Sequence, residues 1–253
     1  MKKTIVVVML LAAVCGCEQS PAPNKAQSSN PSSSQDSRNA QAQPEVAKEA
    51  AESLIPPNAE VAVTKNFYFV IDGSGSMNDA SPSREERSKF RSKMEGAKQA
   101  VAEAISLVPN DANLGLFVFD GRGASERVAI GPGKHSAILQ SVNSILANGG
   151  TPLAESIQYG VDVLDAQRSK QLGYGEYRLI VVTDGEAWSV PDAIAYANQR
   201  QIPIYGIGLG VKSNHPLRNG TIYSDAKSID ELTRALKETV GEMADFDSSE
   251  LFK

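Results

Sequence analysis

The 253-residue sequence has few of the residues on which several protein classes depend: two cysteines, two histidines and one tryptophan. An enzyme needs a positioned base or nucleophile, and neither His135 nor His215 stands in a recognisable catalytic context. There is no Gly-x-Ser-x-Gly elbow and no Gly-x-x-x-x-Gly-Lys phosphate loop. Basic excess is missing as well: the formal net charge is -5, whereas nucleic-acid binders present a basic face, so no nucleic-acid partner is expected. The one long apolar stretch, Ile5 to Val14, would rise only roughly 15 Å as a helix, against a bilayer core of about 30 Å. A spanning anchor is therefore not expected. What remains, 41% hydrophobic and 22% charged residues, is the composition of a globular protein with one sizeable core.

Lys2 and Lys3, the apolar stretch, and small residues at Gly16 and Cys17 read as a secretion signal. The segment Val14-Cys15-Gly16-Cys17 resembles the lipobox of bacterial lipoproteins, with Cys15 where Ala or Ser is more usual. The resemblance implies a signal peptide over 1–16, and Cys17 as the lipidated first residue of the mature chain. Cleavage there removes Cys15 and leaves no partner for an intramolecular disulfide. Glu18 differs from the Asp that retains lipoproteins at an inner membrane. The implied location is thus the cell envelope, lipid-anchored: the outer membrane in a host with two membranes, otherwise the cell surface.

Residues 17–57 are expected to form a tether. From Glu18 to Ala42 the sequence is dominated by Ser, Pro, Asn, Gln and Ala with no apolar period, so it cannot bury enough surface to offset its ordering entropy. Glu45 to Leu54 has the composition of a short helix, stopped by Pro56-Pro57. The folded domain is expected over 58–245, followed by a tail, 246–253.

Within that domain, Phe67 to Ile71, Leu114 to Phe119, Leu179 to Val182 and Ile202 to Ile207 are nearly continuous apolar runs, the pattern of strands buried on both faces. Amphipathic helices alternate with them. One repeats through Phe90, Met94, Ala97, Val101, Ile105 and Val108 behind an expected capping box of Ser83 and Glu86, its charged run from Arg84 to Lys98 facing solvent. Another runs through Leu153, Ile157, Val161 and Leu164 behind Thr151-Pro152; a last one, capped by Ser228 and Glu231, buries Leu232, Leu236 and Val240. Alternating strands and helices imply an α/β fold, a doubly wound and mostly parallel sheet with helices on both faces. The exception is Asp120-Gly121-Arg122-Gly123, followed by Arg127 to Ile130 without an intervening helix, which is hairpin spacing and implies one antiparallel edge strand.

Three segments carry site chemistry. Asp72-Gly73-Ser74-Gly75-Ser76 follows the first strand, its glycines expected to adopt backbone angles closed to other residues. Thr151 precedes a helix, where it reads either as a site hydroxyl or as an N-cap. Asp184, in Thr183-Asp184-Gly185-Glu186, lies just past another buried strand. Ligands in such sheets bind beyond the strands' carboxyl ends, and an all-oxygen set suits a hard divalent cation. Asp120 reads as a turn residue, or else as a hydrogen-bond acceptor supporting the same site from behind or a lip of it; Trp188 reads as an exposed anchor or a packed side chain, and Gly210 to Gly220 as a connector or a recognition loop.

Together the three segments resemble the metal-ion-dependent adhesion site of the von Willebrand factor A family, over about Asn66 to Leu236. The resemblance implies strand order 3-2-1-4-5-6 with strand 3 antiparallel. It also implies a divalent cation, most readily Mg²⁺, with Mn²⁺ or Ca²⁺ as alternatives. Ser74, Ser76 and Thr151 would coordinate it directly or nearly so, and Asp72 and Asp184 directly or through water. The two carboxylates balance the cation's charge and the other oxygens are neutral, which leaves the metal electrophilic toward an Asp or Glu of a partner protein. The expected function is a membrane-anchored, metal-dependent protein-binding module for adhesion or envelope assembly, not an enzyme. The alternatives are a metal-assisted hydrolase of the envelope and a structural domain whose site is idle.

Overall fold

The computed structural model describes residues 64–185 and 189–241. Cys17, the tether, the Glu45 to Leu54 segment, Glu186, Trp188 and the C-terminal tail lie outside the described residues.

Six strands, β1 (Lys65–Asp72), β2 (Asn113–Asp120), β3 (Gly123–Pro132), β4 (Glu176–Thr183), β5 (Ile204–Leu209) and β6 (Ile222–Ala226), form one sheet in the order β3-β2-β1-β4-β5-β6. All neighbouring pairs are parallel except β2 and β3. That exception is the hairpin expected from the sequence: Asp120 pairs with Gly123 across Gly121-Arg122, and Gly123 takes a φ of 96°, which glycine tolerates without penalty.

The continuous apolar runs follow from burial of both sheet faces. In β1, Phe67, Phe69 and Ile71 enter one core with helices α1 (Lys93–Ile105), α2 (His135–Asn143) and α5 (Ile229–Val240). Tyr68 and Val70 enter the other core with α3 (Leu153–Lys170) and α4 (Val190–Gln199). Since successive strand side chains point to opposite faces, a central strand flanked on both sides by helices leaves polar residues to its two ends. In β1 the wholly buried ones are Asn66 and Asp72. Between β5 and β6 there is no α-helix, only a 3-10 turn at Pro216–Arg218.

The first helix begins later than its apolar period suggests. Its N-cap is Ser92, which accepts from the N–H of Glu95, while Glu95 accepts in return from the N–H of Arg91. The expected Ser83–Glu86 capping box does not form. Residues Glu85–Ser88 make a 3-10 turn, Ser83 bonds Glu85, and Glu86 turns inward to cap α5 instead. The Ser228–Glu231 box at α5 forms as expected. Among the described residues no helix is long and apolar enough to cross a membrane.

Candidate metal site

The order of strands reverses between β1 and β4, so the loops that leave their carboxyl ends diverge around a crevice, the usual ligand position in open α/β sheets. Asp72 closes β1 and Asp184 follows β4. All five residues singled out from the sequence gather at this end of the sheet.

Asp72 is fixed from two sides. Its Oδ1 accepts from the backbone N–H of Ser74 at 2.8 Å, and its Oδ2 accepts from the Thr183 hydroxyl at 2.5 Å. Burial pushes the Asp72 pKa up, against the lowering effect of hydrogen bonds from Ser74 and Thr183, and the charge of Asp184 adds to the rise. Two carboxylates in one buried site therefore call for positive charge.

The hydroxyls are available for it. Ser74 stands at the N-cap of a 3-10 turn, Gly75–Asn78, yet its side chain caps nothing. Its Oγ lies 3.1 Å from that of Ser76, and Ser76 donates to Asp184 Oδ1 at 2.7 Å. The Asp184 side chain is fully shielded from solvent, and its Oδ2 receives the Lys93 ammonium at 2.6 Å.

Thr151 reaches the site through its loop. Asn148 N–H donates to the Gly73 carbonyl and Gly75 N–H to the Gly149 carbonyl, stitching the 146–151 segment to the turn after β1. The N-cap of α3 is Pro152, with no side-chain cap, so Thr151 does not serve as the helix cap; Pro152 likewise precedes the first helical residue instead of occupying it. A Cβ placed on Gly185 would stand 3.4 Å from Thr151 Oγ1 and 3.6 Å from Asp72 Oδ2, which puts both oxygens beside one glycine. An open pocket is lined by Ser76, Thr151, Asp184, Gly185, Gly210 and Val211.

The glycines after Asp72 act differently from expectation. Neither Gly73 nor Gly75 adopts a positive φ. Gly73 is needed for close approach: a Cβ there would come within 2.8 Å of Asp120 Cβ and Ile145 Cγ2 and 2.9 Å of the Phe119 carbonyl. At Gly75 the nearest atom would be an ordinary 3.6 Å away.

Of the readings open to Asp120, the structure shows the supporting acceptor, not a lip or a simple turn residue. Its carboxylate accepts from Arg122 N–H, the Arg122 and Arg127 guanidinium groups and Leu146 N–H, tying the β2 end to the loop that carries Thr151. His215, in the segment read as a connector or recognition loop, is buried. Its Nε2 lies 2.9 Å from the Gly185 carbonyl and its Nδ1 accepts from Leu217 N–H; with Nδ1 an acceptor, the proton sits on Nε2 and braces the Asp184 loop. Sequence reasoning assigned no site role to Lys93, Thr183 or His215. Thr183 adjoins Asp184 and was within reach; Lys93 emerges only when Ser92 and Glu95 are taken as the helix start; His215 gives no local signal.

Among the described residues no group of three or more His, Cys, Asp or Glu side chains is gathered that would hold a metal. A cation here must draw on hydroxyls beside two carboxylates. Such a set, Asp72, Ser74, Ser76, Thr151 and Asp184, contains oxygen alone, which fits Mg²⁺, Mn²⁺ or Ca²⁺ and disfavours softer ions.

A sequence search of curated proteins returns no match. Solved structures share the fold. An aerotolerance-related membrane protein from Bacteroides fragilis superposes with a TM-score of 0.54 at 16% identity, over 71% of this chain and 100% of its own. The pilus adhesin SpaC from Lactobacillus rhamnosus GG gives 0.55 at 16%, over 70% of this chain but 30% of the adhesin. Manganese-loaded TRAP protein from Plasmodium vivax gives 0.51 at 18%, over 71% and 74%. The model of the von Willebrand factor type A domain matches residues 66–246, which is most of the chain and takes in all the strands and helices described above but for the first residue of β1, and the chain therefore belongs to that family.

Proposed function

We propose that this chain is a lipid-anchored protein-binding module whose recognition depends on a divalent cation, Mg²⁺ in the first place and Mn²⁺ or Ca²⁺ as substitutes. Asp72, Ser74, Ser76, Thr151 and Asp184 hold the cation. The observation that carries this reading is their convergence at the β1/β4 crevice, with the Thr151 hydroxyl free of any hydrogen bond among the described residues. When bound, the metal supplies an electrophilic position for an anionic oxygen. The chain's own part is to neutralise the ion with two carboxylates, leave neutral hydroxyls as the other donors, and keep one side open through the pocket beside Gly185. A partner's Asp or Glu completes the set. The names of relatives support the direction: one is a pilus adhesin and another is manganese-loaded. Cys17 carries the anchor, placing the domain at the outer membrane or cell surface, where adhesion or envelope assembly is the fitting role.

The test is capture of partners from envelope extracts in Mg²⁺ and in chelator, with the Asp184→Ala variant alongside. Chelation weakens capture by the natural protein strongly and that by the variant hardly further. A partner held equally well in chelator and in Mg²⁺ overturns the reading for that partner. For the anchor, Cys17→Ser is expected to release the domain from membranes or leave an unprocessed precursor; unchanged processing and partition would rule it out.

A further inference from the structure

Lys93 is the first residue of α1, and its backbone N–H donates to the Asp79 carbonyl at 2.8 Å. A cation at this end of a helix is opposed by the helix dipole, whose positive pole lies there, and an ammonium taken out of water needs compensating partners. Only 15% of the Lys93 side chain is exposed. Its compensation comes from the site itself: Asp184 Oδ2 at 2.6 Å, the Ser76 carbonyl at 3.4 Å, and the exposed Asp79 carboxylate at 3.9 Å. Asp184 is thereby satisfied on both oxygens, by Lys93 on one and by the Ser76 hydroxyl on the other.

We propose that Lys93 is a tethered cation which holds Asp184 in the metal-free protein and with which a divalent ion must compete, so that this lysine sets the metal concentration at which the site fills. The inference rests on the metal-binding reading above. With the ammonium in place, Asp72, Asp184 and Lys93 give a site of formal charge -1; without it the charge is -2, and attraction for a divalent ion rises accordingly. The same ammonium keeps Asp184 and Ser76 in position when no metal is present, so apo stability and metal affinity are set against each other by one side chain. A site of this kind fills and empties with ambient divalent cation instead of retaining the ion permanently.

The experiment uses the full lipidated chain in detergent and Mn²⁺ alone as the probe, with free Mn²⁺ read by electron paramagnetic resonance. Lys93→Met retains the side chain's length and apolar stem. It is expected to bind Mn²⁺ at least tenfold more tightly than the natural protein, and to unfold at a lower temperature in chelator. Lys93→Arg, which keeps the charge, should bind Mn²⁺ as weakly as the natural protein; Lys93→Gln replaces the Met variant if that one does not fold. A purely structural lysine would lower the midpoint without tightening Mn²⁺ binding. Equal or weaker Mn²⁺ binding by the neutral variants therefore overturns the proposal. Loss of Mn²⁺ binding in Asp184→Ala, measured in parallel, separates the two readings: if that variant binds Mn²⁺ as the natural protein does, the metal site itself is wrong.

Discussion

Glu86 caps a helix that begins 143 residues later: its Oε2 accepts from Ile229 N–H at 2.9 Å and its Oε1 from Asp230 N–H at 3.0 Å. The carboxylate is buried and also receives the Ser81 hydroxyl. It thus joins the segment after the site loop to α5. A buried anion at a helix N-terminus satisfies orphan N–H groups and complements the dipole at once. Glu86→Ala is expected to cost about 2 to 3 kcal/mol, as for hydrogen bonds to a charged group, and Glu86→Gln about half of that. Urea unfolding is the check: the midpoint should fall with little change in slope.

Asp120 gives a pH signature. Burial raises its pKa, but the hydrogen bonds from Arg122 and Leu146 N–H and the Arg122 guanidinium outweigh it, and the net shift is downward. A folded-state pKa below the unfolded one means that the carboxylate stabilises fully above about pH 4, and that this contribution is lost as pH falls through the folded value. Asp120→Asn should therefore destabilise the domain by about 2 kcal/mol at neutral pH, and the gap to the natural protein should narrow below about pH 4. A gap that stays constant from pH 7 to pH 3 would show that charge is not what Asp120 contributes.

These two carboxylates mark the boundary of what is legible in the sequence. The strands and the antiparallel edge could be read because apolar runs such as Phe67 to Ile71 and the Gly121-Arg122 turn are local patterns, while the order of the strands came from the family resemblance. That the five candidate residues meet at one end of the sheet was legible because each follows a strand or precedes a helix, and the topology carries those ends to one place. Glu86 was not: Ser83-x-x-Glu86 has capping-box spacing, but spacing does not reveal that the carboxylate satisfies a helix across the fold. Lys93 and His215 escaped for the same reason, since their partners, Asp184 and the Gly185 carbonyl, are 91 and 30 residues away in sequence. Gly73 was recognised, but for the wrong cause, because contact with Asp120 and Ile145 is visible only once β1 and β2 are side by side.

Thr183 holds the Asp72 carboxylate from behind. Its hydroxyl donates to Asp72 Oδ2 and accepts from Gly185 N–H at 3.1 Å, in a fully buried position. Val matches its shape but leaves both groups without their partner. Thr183→Val is expected to lower stability in chelator by about 2 kcal/mol and to weaken Mn²⁺ binding, whereas Thr183→Ser should retain most of both. Thermal unfolding in chelator and a Mn²⁺ titration check it; a Val variant with unchanged affinity would detach Asp72 from metal binding.

Thr151 separates a structural from a functional role most cleanly, because the two make opposite predictions. Were its hydroxyl a helix cap, Thr151→Ala would cost about 1 kcal/mol with or without metal. The structure gives α3 no side-chain cap, and replacement of a half-buried residue whose hydroxyl makes no hydrogen bond among the described residues should shift stability by no more than about 0.5 kcal/mol. In chelator, then, Thr151→Ala and the natural protein should unfold together. In Mg²⁺ they should part, since a bound ion stabilises the folded state by RT ln(1 + [L]/Kd), and losing one oxygen raises Kd. At an Mg²⁺ concentration about 100-fold above the natural Kd, a tenfold weaker variant forfeits about 1.3 kcal/mol of that stabilisation. Unfolding midpoints measured across an Mg²⁺ series therefore decide the matter: curves that coincide without metal and diverge with it assign Thr151 to the ion, whereas a constant offset at every concentration returns it to the backbone.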